Sequence, residues 1–258
     1  MRIHQAIAAL LLCAPVLAQA DNCPYSRTFD HTVDASALQD LQLISRAGDE
    51  AIRGVDGADE VRIKGRICAS KESALDALEY DITTQGSSLV MERPEANWSF
   101  FEQMRVAYVD VQIAMPSAMG LSVQDRSGDV EIDNIHGGIT VQDRSGDVTL
   151  HNTGGLVTLR DRSGDLKVVE HQGDVVVESD RSGDINMRGI QGEVTVMSDR
   201  SGDIELQDIA SHVHIEDDSS GDIEVDQIGG DFIVSNDGSG GISFDDVGGN
   251  VQIPRNKQ

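Results

Sequence analysis

The pentapeptide Asp-Arg-Ser-Gly-Asp starts at Asp125 and again at Asp143, Asp161, Asp180 and Asp199, so the chain returns to one local solution every 18 or 19 residues. A period that short holds two strands and two turns but no crossover helix. Repeats of this kind bury their apolar faces by stacking on one another. Aligned on Ser-Gly-Asp, six coils follow one another, and a seventh, opening Ser239-Gly240-Gly241, reaches Ile253.

Within each coil, apolar and polar residues alternate twice, the period of a strand with one buried face. The first strand supplies pairs running from Val130/Ile132 to Ile242/Phe244, and the second runs from Ile139/Val141 to Val251/Ile253. Between them stands the column Ile135, Thr153, His171, Ile190, Ile209, Ile228 and Val247, followed two residues on by a glycine in all coils but one. That glycine marks a corner needing positive φ or close backbone approach. His171 is expected to be a hydrogen-bonded core histidine. The expected fold is all-β, a parallel β-solenoid of seven coils over 121–253 with a rod length of about 34 Å at the usual strand spacing. Later coils carry one extra residue before the corner, so a bulge is expected near Ser179.

The corner reads as turn chemistry. Asp125, Asp143, Asp161, Asp180 and Asp199 end the second strand, where a short carboxylate accepts turn N–H groups. Arg126, Arg144, Arg162, Arg181 and Arg200 form a ladder beside Asp129, Asp147, Asp165, Asp184 and Asp203, offsetting repulsion between carboxylates stacked ~4.8 Å apart. Calcium is the functional alternative, since stacked aspartates offer the oxygen ligands it takes. The arginine ladder stops at Ser219 and Gly238, so Asp217, Asp218, Asp222 and Asp237 are the candidate ligands. A second metal candidate is His212 and His214 on the outer side of one strand, with Glu193 and Asp231 in the adjacent coils, a donor set suited to Zn²⁺ or Ni²⁺. Both readings compete with an ordinary structural column, because adjacency is not convergence. No cofactor is expected.

The first twenty residues place Arg2 before an apolar run ending Ala18-Gln19-Ala20, the pattern of a secretory signal peptide, so the mature chain is expected to start at Asp21. No later stretch approaches the roughly 18 apolar residues of a membrane span. A formal net charge of −25 disfavours nucleic acid and anionic lipid. Cys23 and Cys68 pair as a disulfide in an exported chain, or are buried free thiols.

Residues 21–120 are less regular. Ala47-Gly48-Asp49 stands in the corner place of an early coil, with Val61 and Ile63 expected in its second strand. Ser70 to Tyr80 reads as a short helix capped by Ser70. Strands at Leu89–Glu92 and Val106–Met115 return the chain to the solenoid, and Pro116 marks a break. Trp98, Phe100 and Phe101 form a capping loop over the first coil or a contact loop for a ligand. Phe232 and Phe244 thicken the far end. The tail 254–258 covers it only slightly, which leaves homo-oligomers through the solenoid ends open.

From Leu41 to Ile253, the Ala-Gly-Asp and Ser-Gly-Asp corners, the Gly-spaced short strands and the passage "VDVQIAMPSAMGLSVQDRSGDV" resemble the bacterial putative-adhesin β-strand-repeat families. The resemblance implies a β-solenoid in the periplasm or at the cell surface, with adhesion as its role, and it transfers no catalytic residue. The residues agree: the carboxylates are regular columns, and no aromatic lies between Leu121 and Gly230 for a sugar ring to stack on. The expected function is a non-enzymatic, acidic interaction module for a protein or cell-surface partner. The alternative is a structural element that assembles end to end, with divalent cations screening its charge.

Overall fold

A computed structural model describes residues 23–94 and 106–255. The signal segment, the Trp98, Phe100 and Phe101 loop and the last three residues lie outside that range. The two alternating stretches of each coil become strands of two facing sheets, each of eleven strands. One sheet carries the first strand of every coil, from Val130–Asp133 to Ile242–Val247; the other carries the second, from Gly120–Gln124 to Val251–Gln252. Pairing within the solenoid is parallel and in register, so Val130, Val148, Leu166, Ile185, Ile204, Ile223 and Ile242 form one ladder. The inward residues of both sheets fill a narrow aliphatic core, and those from Val130 to Val234 are buried. Each buried Val, Leu or Ile contributes roughly 1.5–3 kcal/mol.

Eighteen-residue coils give way to nineteen at Ser179. Arg160 pairs with Ser179 rather than Glu178, a register shift at the expected bulge. The extra residue keeps Asp180 stacked over Asp161. At the second corner the chain turns through a left-handed residue, which sequence inspection does not single out: Asn134, Asn152, Glu170, Asp208, Gln227 and Asp246 have φ of 48–60°. Gly137 serves close approach instead, since a Cβ there would lie 2.4 Å from the Met119 carbonyl oxygen.

The N-terminal part departs from expectation in how its strands are threaded. Asp40–Ile44 and Glu50–Val55 form the early coil, which stacks on the first Asp-Arg-Ser-Gly-Asp coil through Leu41 on Leu121 and Ile52 on Ile132. Ser88–Glu92 and Ala107–Pro116 form another coil on its far side. Val61 and Ile63 do not supply the second strand of the early coil. Their strand, Glu60–Ala69, lies in the first-strand sheet, antiparallel to both Ala107–Pro116 and Tyr25–Asp34. Alternation with period two carries no chain direction, and the connector through Gly57, at φ 69°, reverses the chain.

Two 3₁₀ turns, Glu72–Ala74 and Asp76–Leu78, replace the expected helix, with Lys71 rather than Ser70 at the first N-cap. Ala74, Leu75, Leu78 and Tyr80 are all drawn against the core. Their burial overrides local helix propensity. Arg27 holds the segment from outside through Asp76, 2.6 Å away, and Glu79, 3.0 Å away.

Cys23 and Cys68 are joined by a disulfide across the outermost antiparallel pair, with a sequence separation of 45. On loop-entropy grounds, closing a loop of that length is worth ~4 kcal/mol. Reduction, or Cys23→Ser, is expected to lower the melting temperature and to raise hydrogen exchange first in Tyr25–Asp34. An unchanged melt would show that the outer strand adds nothing to the cooperative unit.

Among the described residues nothing covers the other end. Phe232 is fully buried, yet Phe244, stacked on it with ring centroids 6.1 Å apart, is 46% exposed, and Val251 is 37% exposed.

Candidate functional site

The repeated pentapeptide makes one corner of each coil, and four of its five residues have a visible structural role there. The first aspartate points inward. Asp125, Asp143, Asp161, Asp180, Asp199, Asp218 and Asp237 are at most 4% exposed and stack into a buried column. Turn N–H groups were expected to satisfy them, but that geometry is reached only in part: the Arg181 N–H donates to Asp180 at 2.6 Å and the Ser220 N–H to Asp218 at 3.2 Å. Both carboxyl oxygens of Asp143, Asp161 and Asp199 are buried without a hydrogen bond of good geometry, although the N–H groups of the two residues that follow each aspartate lie near enough to favour its charged form.

Loss of water is the main force on their proton equilibria. It pushes Asp143 and Asp199 up to about 7 and Asp180 to about 6, and raises Asp125 and Asp161 as well. Neighbouring carboxylates add to it: Asp125 and Asp161 act on Asp143, while Asp180 and Asp218 act on Asp199. Toward the N-terminus the column ends in Ser45, whose hydroxyl donates to Asp125 or to the buried Glu50, and then in the buried Arg93.

The serine hydroxyl ties adjacent coils. Ser182, Ser201 and Ser220 donate to the main-chain carbonyls of Arg162, Arg181 and Arg200 at 3.1, 3.0 and 2.9 Å. The glycine lets those corners touch, with φ between 125° and 147° from Gly128 to Gly240. The second aspartate is a clamp. The Asp147 N–H donates to the Asp129 carboxylate at 3.0 Å, and the same bond recurs at 2.9 Å from Asp165, Asp184, Asp203 and Asp222 to the coil before.

Arginine is the exception. No ion pair or hydrogen bond engages the side chains of Arg144, Arg162, Arg181 or Arg200 among the described residues, so the expected pairing with Asp147, Asp165, Asp184 and Asp203 does not form. The outer aspartates need no such cation, because a backbone N–H already binds each one.

The metal candidates are not brought together. Asp218 and Asp237 lie in the buried column, Asp217 accepts the Asn236 amide outside it, and Asp222 accepts the Gly241 N–H at 2.7 Å. His212 Nδ1 accepts the Asp231 N–H at 2.8 Å, while His214 Nε2 lies 3.0 Å from Ser235 Oγ. Asp231 is held by Asn250, and Glu193 is 3.5 Å from the Thr195 hydroxyl. Among the described residues no group of three or more His, Cys, Asp or Glu side chains is placed to hold a metal. His171 is fully buried between Thr153 Oγ1 at 2.9 Å and the Gly155 carbonyl at 3.1 Å, and burial lowers its proton affinity.

The burial of the first aspartate was open to sequence reading. Leu121, Val123 and Asp125 share one parity, as do Ile139, Val141 and Asp143, so alternation already turned the carboxylate inward.

Among solved structures the chain is similar to a putative adhesin from Bacteroides fragilis at 16% identity, over 88% of this chain and 97% of that one, with a TM-score of 0.44. It is also similar to a putative cell adhesion protein from Clostridium sporogenes, 13% identical over 89% and 100% of the two chains, TM-score 0.30. A putative lipid binding protein from Parabacteroides distasonis matches at 12% identity over 88% and 97%, TM-score 0.35. No curated protein matches. The family model described as Toastrack DUF4097 matches residues 26–188, which take in the N-terminal strands, the early coil and the first coils of the array, and the chain belongs to that family.

Proposed function

We propose that this protein is an exported, non-enzymatic interaction module of the cell envelope, a rigid acidic rod that presents repeated surface rows to a cell-surface partner. The observation that supports this most is where the chemically distinctive side chains sit. The inner aspartates, the outer aspartates, His171 and the His212 and His214 pair are all built into coil-to-coil ladders, and what faces outward is the repeat itself. The Cys23–Cys68 disulfide supports export, since such bonds persist in oxidising compartments. Labelled monomeric protein added to isolated envelope fractions tests the reading. Saturable, salt-sensitive retention is expected; non-saturable retention, or none, would count against it.

A second reading is favoured by the bare C-terminal end, where Phe244 and Val251 are exposed although Val225 and Phe232, one coil inward, are buried. The N-terminal end is covered by antiparallel strands, so pairing of two C-terminal ends gives a closed dimer rather than a filament. Light scattering is expected to show a concentration-dependent dimer that Phe244→Lys with Val251→Lys abolishes. A monomer at every concentration sinks this reading and leaves the first untouched.

A further inference from the structure

We infer that the arginine column of the corner is a binding site for a linear acidic glycan carrying one carboxylate on each sugar. Its starting point is the one residue of the motif that the corner does not use. The last two coils put Ser219 and Gly238 in the arginine position and keep the inner aspartate, the serine and the positive-φ glycine: Asp218 and Asp237 are buried, Gly221 and Gly240 hold φ of 147° and 125°, and Ser220 donates to the Arg200 carbonyl. Arginine is therefore dispensable to the fold. Even so, it recurs in five successive coils, and Arg144, Arg162, Arg181 and Arg200 are exposed, with no ion pair or hydrogen bond to their guanidinium groups among the described residues.

Arg144, Arg162 and Arg181 border a groove of about 510 Å³ that Arg46, Arg126 and Arg160 also line, and Arg200 continues the column beyond it. The groove's acidic lining is Asp125, Asp143, Asp161 and Glu178. Its three aspartates are the buried ones, whose carboxyls resist ionisation, and Glu178 is paired with Arg160. The outer Asp129, Asp147 and Asp165 do not line it. On a chain of net charge −25 the groove is thus a cationic strip.

Parallel stacking sets the ligand's shape. The guanidinium groups of Arg144, Arg162, Arg181 and Arg200 recur at the strand spacing of ~4.8 Å over about 14 Å, and each can grip a carboxylate with two hydrogen bonds. A hexuronate polymer rises by close to one strand spacing per sugar and its successive sugars are rotated about the chain axis, so the carboxylates that face the column meet every second or third coil. Nucleic acid fits less well, because no aromatic between Leu121 and Gly230 offers a base a stacking surface.

This assignment deepens the interaction-module reading and rests on it for its setting. The test measures binding of polygalacturonate, of its fully methyl-esterified form and of inorganic polyphosphate to the full mature chain. Wild type is expected to bind polygalacturonate in a salt-dependent way and to ignore the ester. The triple variant Arg144→Gln, Arg162→Gln, Arg181→Gln is expected to weaken binding at least tenfold with an unchanged melting temperature, while Arg53→Gln, away from the groove, changes neither. Equal binding by the triple variant, equal binding of the ester, or tighter binding of polyphosphate overturns the assignment. Envelope retention that survives the triple variant keeps the module reading and removes the glycan. Polygalacturonate binding without envelope retention does the reverse.

Discussion

Gly164→Ala is expected to destabilise the rod by ~4 kcal/mol or more, in the range reserved for changes the backbone cannot absorb. Two independent obstacles act at this position. Its φ of 139° lies where side-chain-bearing residues are strained, and a Cβ would sit 1.9 Å from the Gly146 carbonyl oxygen. Neither atom can yield, because both belong to corners stacked coil on coil, with Gly146 itself pressed on Gly128 in the same way. In a solenoid each coil contacts only its neighbours, so one opened corner removes two interfaces. Urea unfolding and hydrogen exchange, with protection lost first in the coils on either side of Gly164, read this effect. Gly57→Ala is the control: φ is positive there too, at 69°, but open space surrounds the position, and a cost near 1 kcal/mol is expected. Equal costs for the two variants would show that the corners are not in contact.

The same corner shows what the sequence makes legible. Solenoid architecture follows from the period, and the bulge at Ser179 follows from one inserted residue, because both concern spacing, which sequence reports directly. Val61 and Ile63 mark the opposite limit. Their alternation predicts a strand with a buried face, and they form one, but strand direction and neighbour are decided by the path of the connector through Gly57 and by the free edge that Glu60–Ala69 covers. The side chains of the pentapeptide divide in the same way. Gly is readable because a tight corner demands it. The first aspartate is read from turn chemistry alone, which says nothing of its burial; a buried, incompletely bonded carboxylate breaks the usual rule for polar residues, and parity was the better guide. The arginine was assigned to the neighbouring acids on charge alone, yet a backbone N–H reaches each of them first.

The buried aspartate column should make this protein more stable in acid than at alkaline pH, the reverse of ordinary acid denaturation. In the unfolded chain an aspartate loses its proton near its ordinary value of 3.8, whereas the fold holds Asp143 and Asp199 up to about 7 and Asp180 to about 6. Between those limits the native state binds more protons than the unfolded one, so stability falls as pH rises. The contribution is complete below the unfolded value and is lost as pH passes about 6 to 7. Each tenfold displacement of a proton equilibrium is about 1.4 kcal/mol, and for a coupled column the loss from around pH 4 to pH 8 is on the order of 5 kcal/mol. Among the groups facing the column, Glu50 is itself raised and the outer aspartates repel, Arg93 opposes at the Ser45 end, and the turn N–H groups after each aspartate favour its charged form along the whole column but are outweighed by the loss of water. Replacing Asp143, Asp161 and Asp199 together by Asn keeps the shape, removes the titration and allows side-chain amides to bond along the stack. The triple variant is therefore expected to melt higher than wild type at about pH 8 and to show a much flatter melting profile from pH 5 to 8, with Asp147→Asn leaving the wild-type slope in place. A wild-type melting temperature that does not fall over this range, or a triple variant that keeps the full slope, would mean that these carboxyls ionise freely inside the fold. That would require water or a cation to reach them along the groove.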